Sequence, residues 1–99
     1  MTDFDEDQLA AESAREKEIL QQRDIEDIRF VMGSEQGRRV IWGVLEQGKV
    51  FSACFAGDPQ VTAFNEGQRN LALALFQRVM AHCPEQYLKM AAEANGVIK

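Results

Sequence analysis

The chain has one histidine, two cysteines, two prolines and one tryptophan in 99 residues. Cys54 and Cys83 lie far apart, with no CxxC pair and no zinc-ligand spacing. His82 is next to Cys83, but neighbours on a helix point about 100° apart, so the two do not converge as a dyad. GxSxG, HExxH, the P-loop and the dinucleotide fingerprint are all missing. These absences set catalysis aside: the expectation is a non-enzyme with no cofactor and no metal. No stretch approaches the roughly eighteen apolar residues of a membrane span. The acidic N-terminus also lacks the apolar run of a signal peptide. A cytosolic protein with reduced thiols and no membrane partner is expected.

Basic residues are also scarce: eleven Lys and Arg against sixteen Asp and Glu, a net charge of −5. A general nucleic-acid binder normally carries a basic face, so that class is disfavoured. The imbalance is local. Residues 1–27 hold ten acids and three bases, a charge of −7, whereas residues 28–99 hold eight bases and six acids, a charge of +2.

What is present reads as helix. Residues 6–23 contain neither Gly nor Pro and are rich in Ala, Glu, Gln, Leu, Arg and Lys, which favour helix intrinsically. Their large apolar residues are few (Leu9, Ile19 and Leu20), so this acidic arm has little to bury. It is left to dock lightly, project from the bundle, or order on a partner. Asp24 then reads as the N-cap of a short core helix carrying Ile25, Ile28, Val31 and Met32, which Gly33 ends in the left-handed conformation. The domain division expected is an arm over 1–23 and a compact domain over 24–96.

Ser34 caps the next helix, whose apolar arc is centred on Ile41 and takes in Gly37, Arg38, Val44, Leu45 and Gly48. Lys49 to Pro59 reads as a loop or helical turn anchored by Phe51 and Phe55, a lone strand having nothing to pair with. Asp58-Pro59 starts a helix that runs to His82, with Val61, Phe64, Gly67, Leu71 and Leu75 on its apolar stripe and Ala72, Phe76, Val79, Met80 and Cys83 widening that face. Cys83-Pro84 ends it and opens a last helix, whose buried side is Tyr87, Leu88, Met90, Ala91 and Ala94 and whose stop is Asn95-Gly96. The fold class is therefore all-α, a small bundle of four to five helices.

Two stretches stand out, "SEQGRR" (34–39) and "FNEGQR" (64–69). Glycine in the first turn of a helix admits an anion to the amides, but Gly67 is too far from a helix start for that. The more economical reading is a close helix crossing at Gly37 and Gly67, since glycine there lowers helix propensity by about 1 kcal/mol against alanine. Arg38 and Arg69 would then pair with Glu66 or Glu35 at the rim. Trp42, with Arg39 and Glu46, is the candidate partner-binding face, because Trp and Arg are favoured at interfaces. The alternative is Trp42 covered by the N-terminal helix or by Phe51 and Phe55.

Taken together, several blocks resemble a family of short proteins encoded by tailed bacteriophages and prophages. They are Asp27-x-Arg29; Gly37-Arg38-Arg39 with Trp42 three positions on; Phe64-Asn65-Glu66-Gly67-x-Arg69; and Pro84-Glu85-x-Tyr87-Leu88-x-Met90. The resemblance spans roughly residues 24–94 and leaves out the acidic arm. It implies a phage protein found among virion and assembly genes, and it supplies no catalytic residue. The expected function is a virion-associated or assembly protein that binds another phage structural protein or itself, in the host cytoplasm during infection or in the virion. The alternative is a small acidic effector that binds a host protein as a nucleic-acid mimic. Direct nucleic-acid binding through Arg29, Arg38, Arg39 and Arg69 is the least favoured.

Overall fold

The computed structural model describes residues 3–52 and 57–96. Four helices are found there and no strand: α1 (Asp3–Met32), α2 (Glu35–Gln47), α3 (Pro59–His82) and α4 (Pro84–Ala94). The fold is a small all-α bundle.

The helix starts follow local chemistry. Ser34 is extended (φ −121°, ψ 151°), and its Oγ accepts from Gly37 N–H at 3.0 Å. Asp58 accepts from the N–H groups of Gln60 and Val61 at 2.8 and 3.3 Å, with Pro59 behind it in the first turn. Each satisfies donors that a helix N-terminus leaves open. Gly96, at φ +76°, takes the left-handed position after α4.

The end of α2 departs from the glycine rule. Lys49, not Gly48, has the positive φ, +56°. Lys49 N–H bonds to Glu46 O at 3.0 Å and Val50 N–H to Leu45 O at 3.1 Å, the paired bonds of a Schellman stop. Buried Val50 and Leu45 supply its apolar contact. Gly48 is small for another reason: a Cβ there would collide with Ala72 Cβ of α3. Gly33 likewise is not in the left-handed region among the described glycines.

The expected break at Asp24 is absent, because α1 runs through it. Nothing in residues 3–32 breaks a helix, and an interior Asp lowers propensity by less than about 1 kcal/mol. Asp24 does not cap; its Oδ1 accepts from Arg78 Nη2 of α3 at 2.6 Å. Helix α1 is thus continuous across residue 24, and burial changes along it. Residues 5–24 are all exposed, Ile25 is half-buried, and Ile28 is the first buried side chain. The arm makes the molecule long, 59 × 39 × 16 Å, with a radius of gyration of 18.9 Å. A compact chain of this length would have about 13 Å.

Ile28 and Met32 of α1, Ile41 and Leu45 of α2, Val50, Ala72, Val79 and Cys83 around α3, and Met90 of α4 form the core. The apolar face expected on α3 is buried on one side only. Val61, Phe64 and Leu71 are exposed, as is Gly67, while Asn65, Ala72, Val79 and Cys83 face inward. This helix is apolar on two faces, and the neighbours bury the other one. On α4, Leu88 and Ala94 are likewise exposed, against expectation. Phe55 lies outside the described residues.

Candidate functional site

Arg38 joins three helices at one point. It sits inside the apolar arc of α2, with a relative exposure of 5%. Its Nε and Nη2 donate to Glu93 Oε1 and Oε2 at 2.6 and 3.0 Å, a bidentate grip on α4. Its Nη1 donates to Met32 O, the last carbonyl of α1, at 2.9 Å, and reaches Gln86 Oε1 at 3.4 Å. The hydrogen bond from Arg38 holds the Glu93 carboxyl below the usual carboxylate range, against the opposing pull of desolvation. The same bond pushes the Arg38 guanidinium up. Both groups stay charged, so the node positions α1, α2 and α4 and has no proton to give at neutral pH.

The partner of Arg38 is therefore Glu93, not Glu35 or Glu66 as the sequence suggested, and the contact lies in the interior, not at a rim. Glu66 is exposed. Arg69 is half-buried, makes no ion pair among the described residues, and its Nε has no hydrogen-bond partner there. One signal pointed to the true pair: Arg38 falls within an apolar arc, and Glu93 is the single acid in the "MAAEA" run of an apolar helix.

Gly37 lies against α1, where a Cβ would penetrate the Val31 carbonyl. The backbones of α1 and α2 meet there because no side chain intervenes. At Gly67 a Cβ would meet nothing within 4 Å, and the same holds at Gly43. The crossing expected at Gly67 does not exist; α2 and α3 instead approach at Gly48 and Ala72. Gly67 thus weakens its helix by about 1 kcal/mol with no contact among the described residues to offset it.

Trp42 is half-buried and stacks on Phe51, with ring centroids 5.3 Å apart and planes at 26°. Phe51 meets Phe76 edge-on at 5.8 Å, and Phe76 meets Tyr87 edge-on at 5.4 Å. Trp42 is therefore at the rim of an aromatic cluster, covered on one side by Phe51. Arg39 and Glu46 are exposed, and Arg39 pairs with Glu35 one turn back at 3.4 Å, an arrangement worth little.

Between Trp42, Arg38, Glu35 and Glu93 is a cleft of about 80 Å³. A water in the liquid occupies about 30 Å³, and pockets for small organic ligands run to roughly 300 Å³ and more, so this cleft suits little beyond solvent. Burial pushes the Cys83 thiol up, which disfavours the thiolate. Among the described residues, no three His, Cys, Asp or Glu are grouped to hold a metal ion. No described helix is long and apolar enough to cross a membrane.

The surface feature that the sequence did not point to is apolar. Phe30 is 85% exposed, Leu71 76%, Val40 66% and Phe64 63%. Phe64 and Leu71 stood on the stripe assigned to the core, so the residues were noticed and their direction was not.

A family model described as Bbp19-like phage protein matches residues 28–92. The chain belongs to this family. No curated protein and no solved structure matches it.

Proposed function

We propose that this Bbp19-like phage protein acts without catalysis, as a protein-binding component in the assembly or structure of the phage particle. The observation that carries the reading is the number of large apolar side chains facing solvent: Phe30 on α1, Val40 on α2, and Phe64 and Leu71 on α3. Single exposed apolar residues are ordinary, but several of this size support a surface made for a protein partner. The small cleft at Trp42 and the fully paired Arg38–Glu93 node support a binding role over a reaction. The partner is another phage structural protein or a second copy.

Removing the gene from a phage that carries it tests this. Particles should accumulate in a defective or incomplete form, with the protein detectable by mass spectrometry in wild-type virions or assembly intermediates. Normal infectious particles from the deletion, together with absence of the protein from every intermediate, would end the proposal. A second reading rests on the exposed, acidic stretch over residues 5–24: an effector that binds a host protein in place of nucleic acid. Its mark is capture of a host nucleic-acid enzyme that weakens steeply with added salt.

A further inference from the structure

Two apolar faces are uncovered among the described residues. One is a ridge on α1. Leu9, Ile19, Leu20 and Phe30 are 57%, 65%, 53% and 85% exposed. At about 100° per residue they share one side of the helix, away from Ile28 and Met32. Leu9 and Leu20, like Ile19 and Phe30, are eleven residues apart, so the ridge runs nearly straight along the axis.

The other face is an open groove between α2 and α3, about 300 Å³ in its larger part, lined there by Val44, Leu71, Ala74, Leu75 and Arg78. At about 100° per residue, exposed Val40 and Phe64 fall on the same sides of their helices as Val44 and Leu71. Gly67 falls on the groove side of α3, with open space above it. A glycine that nothing among the described residues requires is accounted for if another backbone comes close at this place.

We propose that the groove receives α1 of a second copy of this chain, and that the exchange is reciprocal. The inference rests on the protein-binding reading above and names its partner. Charge favours this occupant: residues 1–27 carry −7, whereas residues 28–99 carry +2. The lining around Val44 and Leu71 holds no carboxylate, and its one guanidinium, that of Arg78, already pairs with Asp24 of the same chain, so the attraction is that between the net charges of the two regions. Size favours it too. Each exposed Leu, Ile, Val or Phe side chain contributes on the order of 60–120 Å². Four ridge and four groove residues, counted for both halves of a two-fold pair, bury roughly 1,500 Å², the size of a standard stable interface. The ridge from Leu9 to Phe30 is about 32 Å long, enough to lie along the groove.

The test is light-scattering mass of the full chain from micromolar to near-millimolar concentration, beside Leu20→Glu on the ridge and Leu71→Glu in the groove. Wild type should pass from monomer to dimer, and each variant should weaken dimerisation about tenfold or more. Mixing the two variants should restore a heterodimer, because one wild-type ridge still meets one wild-type groove. If circular dichroism shows that either variant has lost helix, Ile19→Glu and Val40→Glu replace them, both positions being more than half exposed. A wild type that stays monomeric, a dimer indifferent to Leu71→Glu, or a mixture with no recovery overturns the proposal. A permanent monomer that still enters phage particles removes self-docking and leaves the assembly reading standing. A dimer absent from particles does the reverse.

Discussion

Gly37 and Gly67 each precede an arginine by one or two residues in a helix, yet one is wedged under the last turn of α1 and the other faces solvent. Their arginines divide in the same way. Arg38 is 5% exposed and fully bonded across three helices, whereas Arg69 is half-buried, with an Nε that finds no partner. The contrast shows that a helical glycine carries information about a neighbour without saying whose neighbour it is. At Gly37 the neighbour is in the chain, and the lost helix propensity is offset there. At Gly67 no contact among the described residues offsets it.

The comparison can be broken at several points. The largest effect is expected at the arginines. Arg38→Ala leaves the Glu93 carboxylate, the Met32 carbonyl and Gln86 without their donor, and thermal unfolding should show Tm lowered by on the order of 10 °C. Arg69→Ala should move Tm by only a degree or two, and equal losses would erase the distinction. Next comes Gly37→Ala, which forces α1 and α2 apart at Val31 and should destabilise by about 1–3 kcal/mol in denaturant titration. Gly67→Ala should do the opposite, stabilising the dilute chain by up to about 1 kcal/mol, since its Cβ meets only solvent. A destabilised Gly67→Ala chain would mean that the space is not free.

The smallest of these effects is read from pH. The folded pKa of Glu93 is depressed, so its contribution is present above the ordinary carboxylate pKa and is lost as pH falls through the folded value. Arg38 stays charged throughout. Wild type should therefore lose more stability than Glu93→Gln on going from neutral to acid pH. Parallel curves, compared by denaturant midpoint, would show that the Arg38–Glu93 bond contributes nothing net.

Much of the architecture was readable from local chemistry. Ser34, Asp58-Pro59 and Asn95-Gly96 mark helix ends through groups that satisfy or stop a helix within a few residues, and the structure places helix ends there. Asp24 misled because the same side chain that caps a helix can also sit in its middle and reach a distant Arg78. Gly48 was placed in the apolar arc of α2, and there it makes room for Ala72, while the left-handed residue is Lys49. Of the candidate site, Arg38 was identifiable as an arginine inside an apolar arc, but Glu93 is 55 residues away and no local rule pairs them.

The amino-acid sequence alone determined that the chain is helical, where most helices start and stop, and that its acidity belongs to residues 1–27. Those properties depend on propensity, caps and charge, which act over one or two turns. Only the tertiary structure decided which face of α3 is buried, which carboxylate meets Arg38, and which glycine is a crossing. Helix α3 is apolar on more than one side, so its own periodicity satisfies either orientation. The choice is made by where α1, α2 and α4 pack, and that leaves Phe64, Gly67 and Leu71 facing outward.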